Sequence, residues 1–122
     1  MIVDDEPQIR MLVKTILEKR DYEVSEAEDG LDCIEKLLDG QRPELILLDV
    51  MMPKMDGWEA ARKIKENEVL KDIIICMLTA KTTTMDALMS LESAQAEWHL
   101  NKPISRDLLI QTIEWLLAGG KG

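Results

Sequence analysis

Apolar residues recur at helical intervals of three and four positions in five segments of the chain. The segments are marked by Ile9, Leu12, Val13, Ile16 and Leu17; Leu31, Ile34, Leu37 and Leu38; Trp58, Ala61 and Ile64; Met85, Leu88 and Met89; and Leu109, Ile113, Leu116 and Leu117. Each pattern predicts an amphipathic helix, the fourth being the weakest. Pro7 suits the first turn of the first helix, Gly40 suits the end of the second, and Ser105 can cap the last.

Short apolar or alternating runs separate these helices and predict five strands, at residues 1–3, 21–27, 45–48, 73–78 and 96–100. The third and fourth runs are fully apolar, as expected of strands covered on both faces. The second and fifth alternate and are expected nearer the edges, with Trp98 and Leu100 sharing one side. Five strands alternating with five helices predict an α/β fold with a parallel sheet flanked by helices on both faces. We expect one domain over residues 1–118 and a tail or linker start at 119–122.

Composition narrows the class of protein without identifying it. The chain has 122 residues and a formal net charge of −9, so we expect a single acidic domain that binds no nucleic acid by itself. No apolar run is long enough to span a membrane, and a cytoplasmic location is favoured. Cys33 and Cys76 lie far apart beside a single histidine, which argues against zinc and for buried free thiols. The first strand is short, so we expect a few residues to be missing before it.

Polar residues follow the predicted strands at positions where a sheet could gather them. Asp4 and Asp5 follow the first strand, Asp49 the third, Thr79 the fourth and Lys102 the fifth. Ligands of open α/β sheets bind at the carboxyl ends of strands, and the three aspartates converge if the first and third strands are neighbours.

Carboxylates a few ångströms apart repel each other by roughly 1–4 kcal/mol, and a hard cation such as Mg²⁺ resolves that conflict. With a hydroxyl and an ammonium nearby, the set indicates phosphoryl transfer to Asp49. Each residue also has a simpler interpretation. Asp4 and Asp5 could cap the first helix, Asp49 could begin a turn, Thr79 could cap a helix, and Lys102 could belong to an ordinary loop. Because all of these residues fall at the carboxyl ends of strands and have compatible chemistry, a phosphoryl-transfer site is favoured over the separate simpler interpretations.

Four motifs, VDDEP, ILLDVMMPKMDGWE, MLTAK and LNKPIS, resemble those of the response regulator receiver domain, the CheY-like family of two-component signalling. The resemblance covers essentially the whole chain in order. It implies the doubly wound, flavodoxin-like (βα)₅ fold with strand order 2-1-3-4-5. It also implies that residues 1–118 form a receiver domain.

The resemblance assigns roles to the acidic residues. Asp49 matches the phosphoacceptor nucleophile. Asp5 and Asp49 match direct ligands of Mg²⁺, with Mn²⁺ as an alternative, and Asp4 matches a ligand that acts through water. Met51 would contribute its backbone carbonyl. Because the Met51 side chain cannot place a water by hydrogen bonding, we expect slow loss of the phosphoryl group.

Further positions match the family's residues that contact the phosphoryl group and those that change conformation after phosphorylation. Lys102 matches the lysine that contacts the phosphoryl group, and the Lys102–Pro103 bond is expected to be cis. Thr79 matches the switch hydroxyl. His99 falls where the family usually has an aromatic switch residue, and an exposed structural histidine is an equal alternative. Gln95 replaces a glycine of the family pattern, so that turn is expected to differ.

The implied function is acceptance of a phosphoryl group from a sensor histidine kinase or phosphotransfer protein. The helix 4/strand 5/helix 5 face would then switch to control an effector protein, or form a phosphorylation-dependent homodimer. The chain would be a signalling phosphoacceptor rather than an enzyme. A Mg²⁺-dependent phosphohydrolase is disfavoured because such enzymes carry a second catalytic Asp where Met51 lies. A pure interaction module is disfavoured because Asp49, Thr79 and Lys102 are all present.

Overall fold

The structure, a computed structural model, describes residues 1–80 and 94–120. Its strands are β1 (Ile2–Val3), β2 (Glu26–Ala27), β3 (Leu45–Asp49), β4 (Ile74–Thr79) and β5 (Trp98–Asn101). Its helices are α1 (Pro7–Glu18), α2 (Gly30–Leu38), α3 (Gly57–Glu66) and the C-terminal helix (Arg106–Leu117). The predicted fourth helix, with Met85, Leu88 and Met89, lies outside the described residues. No helix in the described ranges is long and apolar enough to cross a membrane.

The five strands form one parallel sheet in the order β2-β1-β3-β4-β5. This confirms the predicted α/β fold and the strand order implied by the resemblance. The longest strands, β3 and β4, are almost entirely buried, as their unbroken apolar sequences predicted. Because β3 lies between β1 and β4, the carboxyl ends of these three strands meet at one edge of the sheet.

Two apolar layers cover the sheet, one on each face. Alternate strand residues supply them because neighbouring side chains on a strand point to opposite faces. Val3, Leu48 and Met77 pack with α2 and α3 in one layer. Leu47 and Leu78 pack with α1 and the C-terminal helix in the other.

The predicted second strand was too long. Of residues 21–27, only Glu26–Ala27 form β2. Among the described residues, β2 pairs with β1 alone, and β1 is two residues long, so ladder pairing ends after two residues. Tyr22 and Val24 still pack against the layer that contains α1.

The buried face of α2 also differs from the prediction. Its buried residues are Gly30, Cys33 and Leu37, whereas Ile34 is partly buried and Leu31 and Leu38 are exposed. The stripe that faces the sheet runs through positions 33 and 37, one helical turn apart, and Leu38 lies about 100° further around the axis.

Helix ends follow the local chemistry of the sequence. Pro7 opens α1, and the Asp29, Asp56 and Ser105 side chains cap α2, α3 and the C-terminal helix. Ser105 was predicted in that role and is confirmed. Gln95 has a φ of 60°, so this side chain occupies a left-handed turn conformation that glycine adopts more easily.

Candidate functional site

Three carboxylates meet at the edge where β1 and β3 end. Val3 pairs with Leu48, which places Asp4 beside Asp49 at the carboxyl ends of adjacent strands. Oxygen atoms of Asp4, Asp5 and Asp49 all lie within 4.8 Å of one another. The structure thus brings together the three acidic residues that the sequence predicted would converge.

Lys102 joins this cluster from the loop after β5. Its Nζ donates to Asp4 Oδ2 at 2.8 Å and lies 3.3 Å from Asp49 Oδ1. Asp4 and Asp49 are buried, whereas Asp5 is exposed. The Lys102–Pro103 peptide bond is cis, as predicted.

The electrostatics of the cluster are unbalanced. Burial, followed by the neighbouring charge of Asp4, raises the pKa of Asp49 to about 6, although Lys102 opposes the rise. Burial lowers the pKa of Lys102, but the hydrogen bond to Asp4 and the charge of Asp49 outweigh it, so that pKa lies above its usual value. Three carboxylates facing one ammonium leave a formal excess of two negative charges when all are ionised. This oxygen-rich set fits a hard divalent cation such as Mg²⁺.

The helix-cap alternative for the acidic pair receives only partial support. Asp4 Oδ1 accepts a hydrogen bond from the Glu6 backbone N–H at 3.0 Å. The residue at the N-cap of α1 is nevertheless Glu6, which makes no side-chain cap. One oxygen of Asp4 therefore stabilises the local turn while the other faces Lys102.

Arg10 supports Asp4 from the first turns of α1, and sequence reasoning did not find it. Its Nη1 donates to the Asp4 backbone carbonyl at 2.7 Å, and its Nε pairs with Glu26 at 3.3 Å. One arginine thus ties the residue after β1 to the first residue of β2. One signal in the sequence could have suggested this role of Arg10. The residue lies three positions after Pro7, on a helix that begins beside the site.

The segment after Asp49 passes very close to the end of β3. The Gly57 N–H donates to the Val50 carbonyl at 2.9 Å. A Cβ on Gly57 would lie 2.2 Å from the Asp49 carbonyl oxygen, so the start of α3 can approach only because this residue is glycine. Met51 lies in the loop between them, with its side chain in solvent.

Thr79 ends β4 on the other side of β3. Its side chain is buried and its Oγ1 donates to Asn101 Oδ1 at 2.6 Å, with the Leu100 carbonyl a longer acceptor at 3.3 Å. His99 pairs with Met77 in the β4–β5 ladder and is partly exposed. The structure therefore places Thr79 at this end of the sheet and His99 two ladder positions before it, and it adds Asn101, which sequence reasoning missed.

Trp98 packs on the same side of β5 as Leu100, as predicted. Its ring meets that of Trp115 edge to face, with centroids 5.2 Å apart, and it packs against the layer that also contains Leu100.

Comparison with known proteins establishes the family. Residues 1–114 match the model of the response regulator receiver domain. The chain belongs to this family, whose members are the receiver domains of two-component signalling proteins. Receiver domains of this kind work with histidine kinases and effector domains, and they typically bind Mg²⁺ at an acidic pocket.

Individual relatives agree with that assignment. The chain is 38% identical over 117 residues to the phosphate regulon transcriptional regulatory protein PhoB of Pseudomonas aeruginosa, covering 96% of this chain and 50% of PhoB. It is 35% identical over 117 residues to the transcriptional regulatory protein TrcR of Mycobacterium tuberculosis, covering 96% and 44%. The chain thus spans about half the length of these curated relatives.

Solved structures show the same fold. The signal receiver domain of a signal transduction histidine kinase from Syntrophus aciditrophicus superimposes with a TM-score of 0.88 at 30% identity, covering 97% of this chain and 88% of that one. The proteins that this chain resembles thus include a receiver from a histidine kinase as well as transcriptional regulators.

Proposed function

We propose that residues 1–118 form a phosphoacceptor receiver domain in which Asp49 takes a phosphoryl group from the phosphohistidine of a sensor histidine kinase or phosphotransfer protein. The observation that carries this proposal is the Asp49 carboxylate, buried at the end of β3, within 4.8 Å of two other carboxylates and in contact with the Lys102 ammonium. A fold gains no stability by gathering like charges in this way, so the arrangement serves chemistry.

In the proposed reaction an Asp49 carboxylate oxygen attacks the phosphorus atom in line. The new P–O bond replaces the P–N bond, and the departing imidazole keeps the electron pair and takes a proton from water. Lys102 offers its ammonium to the phosphoryl oxygens. Asp49, Asp5 and the Met51 carbonyl would hold Mg²⁺ or Mn²⁺ directly and Asp4 through water; the ion supplies positive charge that offsets the charge of the transferring group.

The acyl phosphate would then change the preferred state of the surface around β5. The Thr79 hydroxyl is proposed to move toward the phosphoryl group, and His99 to reorient with it. The surface formed by the predicted fourth helix, β5 and the C-terminal helix would contact an effector or a second copy of the chain. The two free buried cysteines suit a reducing cytoplasm.

The test is incubation with acetyl phosphate and Mg²⁺, followed by mass spectrometry of the intact protein. We expect one added phosphoryl group on the parent and none on Asp49→Asn. Asp72→Asn is the matched control, because Asp72 is an exposed aspartate on the turn before β4. Labelling of Asp49→Asn at the parent's level would overturn the assignment.

A further inference from the structure

The contact between Thr79 and Asn101 is fixed by the sheet itself. The two residues are directly paired in the β4–β5 ladder, so their side chains leave the same face of the sheet as cross-strand neighbours. The Lys102 backbone N–H also donates to the Thr79 carbonyl at 2.6 Å, which holds the strand ends together independently of either side chain. The Thr79 hydroxyl meets the Asn101 carboxamide at 2.6 Å as a result.

A threonine hydroxyl carries a single hydrogen, so it donates fully to one acceptor at a time. Within the described part of the chain, the nearest acceptor for the Thr79 hydroxyl is the Asn101 carboxamide oxygen. Donation to a phosphoryl oxygen on Asp49 therefore requires this bond to break. The free energy of the Thr79–Asn101 bond opposes the phosphorylated arrangement.

We propose that Asn101 is a positioning residue that holds the Thr79 hydroxyl in the unphosphorylated arrangement and so sets how readily the site accepts a phosphoryl group. This inference rests on the proposed function, because it presupposes that Thr79 contacts the phosphoryl group. Asn101 is followed directly by Lys102, so the end of β5 carries both the ammonium of the site and the carboxamide that restrains its hydroxyl.

The surroundings of Asn101 make its removal a clean test. Asn101 is exposed, so truncating it opens no internal cavity. The Thr79 hydroxyl is buried, but the Leu100 carbonyl is already within 3.3 Å and can accept its hydrogen when the carboxamide is gone. Asn101→Ala is therefore expected to fold while freeing the hydroxyl to change partner.

The experiment measures the affinity of the protein for beryllofluoride in the presence of Mg²⁺. Binding is monitored through the backbone amide NMR shifts of β4 and β5. A net hydrogen bond corresponds to a factor of about 2 to 12 in an equilibrium constant, so Asn101→Ala should bind beryllofluoride about 2- to 12-fold more tightly than the parent. Thr79→Ala should bind more weakly. Adding Asn101→Ala to Thr79→Ala should then change nothing further, because the restrained hydroxyl is absent.

Gln111→Ala, which removes an exposed carboxamide from the C-terminal helix, is the control and should match the parent. Two outcomes overturn different statements. If the parent binds beryllofluoride and Asn101→Ala binds it with unchanged affinity, the positioning role of Asn101 is wrong and the proposed function stands. If the parent binds no beryllofluoride, the proposed function is wrong and the positioning role is lost with it.

Discussion

At the scale of single residues, we expect the side chain of Met51, in the loop after Asp49, to affect the lifetime of the proposed phosphoryl group. It lies in solvent with 74% of its surface exposed, so it packs little and can be replaced without disturbing the core. Hydrolysis of an acyl phosphate needs a water held in line with the bond, and a thioether is at best a weak hydrogen-bond acceptor. The lifetime should therefore respond to the polarity of this position.

We predict that Met51→Asn loses its phosphoryl group faster than the parent. One hydrogen bond to the attacking water lowers the barrier by about 0.5–1.5 kcal/mol, which corresponds to an acceleration of about 2- to 12-fold. The measurement is the decay of phosphorylated protein after acetyl phosphate is removed. Met51→Leu keeps an apolar side chain and should decay like the parent; equal rates for all three proteins would contradict the prediction.

The residues of the site differ in how well the sequence could predict them. The positions of Asp4, Asp5, Asp49 and Lys102 were predictable because each lies at or just after the end of a strand and each carries an ionisable side chain. The roles of Arg10, Asn101 and Gly57 depend on register and on distances of a few ångströms between segments. Asn101 faces Thr79 only because those two positions pair in the ladder, which an apolar pattern cannot specify to one residue.

At the scale of elements, a partly buried ion pair joins the end of α3 to the beginning of β4 and β5. Lys65 Nζ pairs with Glu97 Oε1 and also donates to the Ile73 carbonyl at 2.7 Å and the Lys71 carbonyl at 3.1 Å. Glu97 Oε2 accepts the Ile75 backbone N–H at 2.7 Å. The side chain of Lys65 is only 7% exposed, so losing one partner leaves a charge largely without water.

We predict that Glu97→Gln and Lys65→Met each lower the free energy of unfolding by about 2–4 kcal/mol, because each leaves the other partner unpaired. The double variant should lose clearly less than the sum of the two single losses. Urea unfolding of the three proteins measures this. Lys71→Met is the control, because its pair with Glu68 is exposed and should contribute at most about 1 kcal/mol.

A strictly additive double variant would show that Lys65 and Glu97 act independently and would contradict the prediction.

The strands and helices were predictable from sequence where each has its own apolar pattern, as β3, β4 and α1 do. The length of β2 was not, because it is set by how many residues its neighbour β1 offers for pairing.

At the scale of the whole molecule, the two layers that cover the sheet each enclose one cysteine. Cys33 lies in the layer with α2 and α3, and Cys76 lies in the layer with α1 and the C-terminal helix. Burial is the main cause that raises the pKa of each thiol from 9.0 to about 12. The two layers were predictable from the alternation of apolar positions, but the shifted titration depends on the completeness of burial, which only the packed structure shows.

These shifts make stability fall at alkaline pH. Below pH 9 both thiols are protonated in the folded and the unfolded chain, so their contribution is fully present. Between about pH 9 and 12 the unfolded chain ionises first while the folded chain keeps its protons, and the free energy of unfolding falls. Each thiol should cost about 1.4 kcal/mol per pH unit in that range.

We therefore predict that the parent loses about 3 kcal/mol more stability between pH 8 and pH 10 than the Cys33→Ala/Cys76→Ala variant, since two thiols each contribute about 1.4 kcal/mol. Urea unfolding at both pH values, with a reductant present, measures the difference. The loss of the variant is subtracted from the loss of the parent. This removes the titration of tyrosine and lysine, which both proteins share. It also removes the effect of the variant's smaller core, which does not depend on pH. Equal losses in the two proteins would mean that the thiols titrate alike in the folded and unfolded chain, and that water reaches them through both apolar layers.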